Sequence, residues 1–73
     1  MANARDWVRA YYPQAYAQRV AHVTVIWSAP PWVPGKKHIL QTLFGVGAEV
    51  EEALWARTLD HLQTQLWQEA LGD

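Results

Sequence analysis

The chain contains no cysteine. That excludes a disulfide framework and any thiolate metal site, and nothing in it argues for an oxidising compartment. Serine occurs once, at Ser28, outside any GxSxG setting, so nucleophilic catalysis finds no support. His22, His38 and His61 follow no HxxxH, HExxH or Cys/His spacing, and neither a metal nor another cofactor is expected.

Charge is also scarce. Charged residues make up 18% of the chain, against about 25% in a typical domain. The six basic residues are scattered and the net charge is −1, so the basic stripe of a nucleic-acid binder is missing. Acidic rows that would mimic DNA are missing too, because only Glu49, Glu51 and Glu52 cluster. No stretch approaches the ~20 apolar residues of a membrane span. The opening MANARDWVRA lacks the basic-then-apolar order of a signal peptide. No membrane association and a cytoplasmic setting are the expectation.

Apolar side chains are abundant instead. Hydrophobic residues are 51% of 73, with five tryptophans, three tyrosines and one phenylalanine. A chain this short forms one domain, residues 1–73, and buries only about 60% of the surface its unfolded form exposes. Part of its apolar surface should therefore stand outside the core as a patch, the usual mark of an interface. Without disulfides or metal, core packing and self-association are the remaining staples for so small a domain: either helices sandwich its strands or two copies join into a larger sheet, and a homodimer is expected.

The clearest element is C-terminal. Residues 48–71 hold no proline or glycine, and Val50, Leu54, Trp55, Leu59, Leu62, Leu66, Trp67 and Ala70 recur at helical intervals. Leu59, Leu62 and Leu66 should centre the apolar stripe, with Trp55 and Trp67 on its flanks. The three glutamates fall where carboxylates oppose the helix dipole, and Gly72 suits the terminating position. The GVG at 45–47 reads as the entry turn of this helix. It lacks the spacing and the Lys-Ser/Thr of a phosphate loop.

Residues 20–28 and 38–44, rich in β-branched and aromatic side chains, predict a two-stranded antiparallel hairpin under the C-terminal helix. Folding about the middle of the loop sets Val23 opposite Leu43, Val25 opposite Gln41 and Trp27 opposite Ile39, on the face that seats the helix. The other face, with Thr24, Ile26, Leu40 and Phe44, is too apolar to be fully wet and calls for a cover. The N-terminal segment reads as a kinked helix: residues 6–12, for which a strand is the alternative, and then a short helical piece at 13–19 restarted by Pro13. Its Trp7, Tyr11 and Tyr16 are candidates for the cover or for a partner. The expected class is α+β.

The two strands are joined by APPWVPG, residues 29–35. Pro30, Pro31 and Pro34 fix their own backbone angles and extend the residues before them, so the connection is a pre-ordered arch that loses little entropy on binding. Trp32 and Val33 stand either where the arch presents them as an interface anchor or, for Trp32, folded back over the core.

These features predict a non-enzymatic protein-binding module, an inhibitor or adaptor that occupies a protein partner's surface. Its contact residues are Trp32, Val33, Trp7, Tyr11, Tyr12 and Trp67. Phage-encoded inhibitors of host proteins share this compositional profile. A subunit of a larger homo- or hetero-assembly is the alternative. Single-stranded nucleic-acid contact through Lys36, Lys37 and Trp32 is less well supported.

Overall fold

Asn3 begins the first element by accepting a hydrogen bond at its side chain from the Asp6 amide, 3.0 Å, while the Asp6 carboxylate accepts from the Asn3 amide. This reciprocal capping box starts α1, Ala4–Tyr11, and Pro13 follows its end. The chain is described by a computed structural model covering residues 2–71. The expectation for Gly72 lies outside that range.

After α1 the chain becomes a strand where a second helical piece is expected. β1, Tyr16–Val20, pairs antiparallel with β2, Val23–Trp27, which pairs with β3, Ile39–Phe44, so the sheet has three strands, not two. Ala17, Gln18 and Arg19 have good helix propensity, but pairing along all five residues of β1 outweighs it. The turn between β1 and β2 is only Ala21 and His22, with Ala21 at φ 55°. A positive φ at the first of two central residues suits the right-handed twist of a hairpin.

The register of the second hairpin also departs from expectation. Trp27 does pair with Ile39, but Val25 meets Thr42 and Val23 meets Phe44. The irregularity between Ile26 and Trp27 inserts Leu40 as an extra residue on β3, and beyond it the pairing slips by one. A one-residue slip exchanges the faces. Ala17, Ile26, Leu40 and Leu43 therefore join the core, and Val23, Val25 and Trp27 turn away from it.

α2, Ala48–Leu71, lies on the inner face against β2 and β3. Gly45 and Gly47, both at positive φ, turn the chain into it, and the Gly47 carbonyl accepts the first helical bond from the Glu51 amide, 2.9 Å. α1 runs beside α2 in the same direction: Ala4 stands near Ala48 and Trp55, Tyr11 and Tyr12 near Leu62 and Leu66. Arg9 donates from Nε to the Ala15 carbonyl at 3.1 Å and sets its guanidinium 6.0 Å from the Trp55 ring centre on α2.

The core is Val8, Ala15, Ile26, Leu54, Trp55 and Leu62. The buried side of α2 is Leu54, Trp55, Thr58 and Leu62, one turn earlier and rotated toward α1 relative to the expected Leu59, Leu62 and Leu66 centre. Because α1 packs on α2, on the inner side of the sheet, it does not cover the second face as its aromatics suggested. No helix among the described residues is long and apolar enough to cross a membrane.

Candidate protein-docking surface

Alternation along the strands, with Ala17, Ile26 and Leu43 turned inward, assigns the opposite face. It carries Tyr16, Gln18 and Val20 from β1, Val23, Val25 and Trp27 from β2, and Ile39, Thr42 and Phe44 from β3. None of these nine strand residues is charged. Val25 is buried by its neighbours on this face without belonging to the core cluster. The Trp27 indole N–H donates to Gln18 Oε1 at 2.8 Å, which links the two side chains across β1 and β2. Toward the rim the side chains open: Val20 is 51% exposed, Ile39 49% and Phe44 80%. No helix or strand among the described residues packs on this face.

The proline arch closes one end. Its base is pinned by two hydrogen bonds, from the Ser28 amide to the His38 carbonyl, 3.0 Å, and from the His38 amide to Ser28 Oγ, 3.1 Å. Inside it Pro30-Pro31-Trp32-Val33 forms a turn closed by the Val33 amide on the Pro30 carbonyl at 3.1 Å, with Pro31 where proline is favoured. Trp32 is 72% exposed and sets its ring at 71° to Tyr16, centroids 5.5 Å apart. It stands at the end of the outer face and is not a lid on the core. Beneath the arch, Gln18, Trp27, Ala29, Pro31 and Lys37 line a mostly apolar hollow of about 210 Å³.

The other expected contact residues lie elsewhere. Trp7 and Tyr11 are exposed one turn apart on α1. Trp67 is exposed on α2, about 140° of helical rotation from both Leu54 and Leu62. Tyr12 is half-buried against the core with its ring edge-on to His38, and Val33 is half-buried in the arch. The structure therefore gathers Trp32 with the sheet face and leaves Trp7, Tyr11 and Trp67 on the helical side. The sheet residues Val20, Ile39 and Phe44 were not among the expected contacts. Their signal was the surplus of apolar strand residues over what one helix covers.

The remaining clefts offer less. One of about 530 Å³ between β1 and the start of α2 is lined by Arg19, Thr24 and Glu51 among others. The Thr24 hydroxyl is engaged there, donating to the Gly45 carbonyl at 2.8 Å. Among the described residues no three His, Cys, Asp or Glu side chains converge as a metal site. In the arch Lys37 Nζ donates to the Gly35 carbonyl at 3.3 Å, while Lys36 is exposed.

No protein-family model matches the chain, no curated protein matches it in sequence, and no solved structure matches it.

Proposed function

We propose that this protein is a non-enzymatic protein-binding module, an inhibitor or adaptor, that docks through the outer face of its sheet with Trp32 as the anchor at the rim. The observation that carries the reading is the uncovered face itself. Nine uncharged strand residues form a continuous surface on which no helix or strand of the described residues packs. A sheet apolar on both faces calls for a second layer, and the described residues supply none on this one, which supports a partner there. The arch supports the same reading, since a turn already fixed by proline gives up little freedom when Trp32 is captured. A cytoplasmic setting goes with it, supported by the cysteine-free composition.

Photo-crosslinking tests the proposal. Benzoylphenylalanine in place of Phe44, whose side chain is 80% exposed, should give discrete protein adducts, with Gln68 on α2 as the control position. Trp32→Ala should weaken the captured interaction by more than about 1 kcal/mol, roughly fivefold, with the fold retained. Position 44 yielding no protein adduct, either in the purified protein or in the native lysate, would overturn the reading.

A further inference from the structure

We infer that the occupant of the outer face is a second copy of this chain, packed face to face about a two-fold axis to give a four-layer α/β/β/α dimer. The inference rests on the reading of that face as a protein-docking surface and names its partner.

Area supports the inference first. With aromatic side chains at ~150–250 Å² each, the exposed fractions of Trp32, Phe44, Ile39 and Val20 alone offer on the order of 500 Å². The half-buried Tyr16, Val23 and Trp27 carry this toward the roughly 800 Å² per partner of a standard interface. The whole molecule agrees. Its accessible surface is 5349 Å² for 8.4 kDa, where a folded monomer of that mass exposes about 4,600 Å².

Charge favours a self-partner. A face meeting its own copy brings every charge against its like, and this face presents no charged strand residue, with Lys37 at the arch as the charge beside it. Shape then selects the orientation. The most exposed strand side chain, Phe44, stands at one end of the face, and the apolar hollow of Trp27, Ala29 and Pro31 lies at the other, beneath the arch. In an isologous contact residue i meets residue j and j meets i. A two-fold axis across the strands therefore seats each Phe44 in the hollow of the opposite copy, with the sheets stacked about 10 Å apart as in a sandwich.

Sedimentation equilibrium on the full chain tests this. The wild type should be a dimer. Phe44→Asp, which charges the knob, and Ala29→Trp, which fills the hollow, should each weaken dimerisation by at least about 100-fold, with far-UV circular dichroism unchanged. Trp67→Glu on the helical side should stay dimeric. Val20→Lys is a second charge on the same face and covers the case in which Phe44→Asp fails to fold. A wild type that stays monomeric throughout overturns the second-copy inference. Foreign-protein adducts from position 44 would then still uphold the docking face, so the two failures are distinguishable. A dimer that survives Phe44→Asp and Val20→Lys but is lost in Trp67→Glu also overturns it, by moving the contact to the helices.

Discussion

Gly45 sits at φ +122°, with a Val50 methyl 3.3 Å from where a β-carbon would stand. Its amide donates to the His22 carbonyl and its carbonyl accepts from Thr24 Oγ1. One residue thus joins the β1–β2 turn, the buried side of β2 and the entry to α2. Gly45→Ala should cost about 1–3 kcal/mol, because the left-handed backbone and the Val50 approach both resist a side chain. Ala21, at φ 55°, is the converse case. Relief of its left-handed strain exceeds the extra chain entropy of glycine, so Ala21→Gly should gain about 0.5–1 kcal/mol. Urea unfolding checks both, as opposite shifts in midpoint at constant slope.

Elements differ in how far tertiary packing supports them. α2 has buried residues only as far as Leu62, and Leu66, Trp67 and Leu71 are all exposed in the last turns. Leu54→Ala should therefore lose about 2–5 kcal/mol, while Leu66→Ala should change stability by less than about 1 kcal/mol, both read from thermal unfolding. Periodicity made α2, β2 and β3 legible in the sequence, because each carries its own pattern of apolar positions. β1 was not legible: YAQRV is rich in helix formers, Pro13 allows a helix start, and the Ala21-His22 turn has no Gly or Asn to announce a hairpin. The slip at Leu40 was hidden for a similar reason, since a bulge leaves no mark of its own in composition. The stripe of α2 shifted because α1 covers its Trp55 flank, a contact between segments far apart in the chain.

At the scale of the whole molecule the chain is extended, 41 × 29 × 25 Å, with both helices on one side of a thin sheet. The surplus of apolar residues was legible from composition, and it stands partly exposed at Trp32, Phe44, Ile39 and Val20. Which face stood open was not legible, because that depends on register. The second-copy arrangement would bury the sheet faces and leave Trp7, Tyr11 and Trp67 facing outward on both helical layers.

The central claim, that a second copy of the chain covers the outer face of the sheet, is tested most directly by hydroxyl-radical footprinting of the purified chain across a wide concentration range, read by mass spectrometry at single residues. The account predicts that Phe44, Ile39 and Trp32 become protected as concentration rises, while Trp67 and Trp7 label at a constant rate. Equal labelling of Phe44 at every concentration, or protection confined to Trp7 and Trp67, would contradict it.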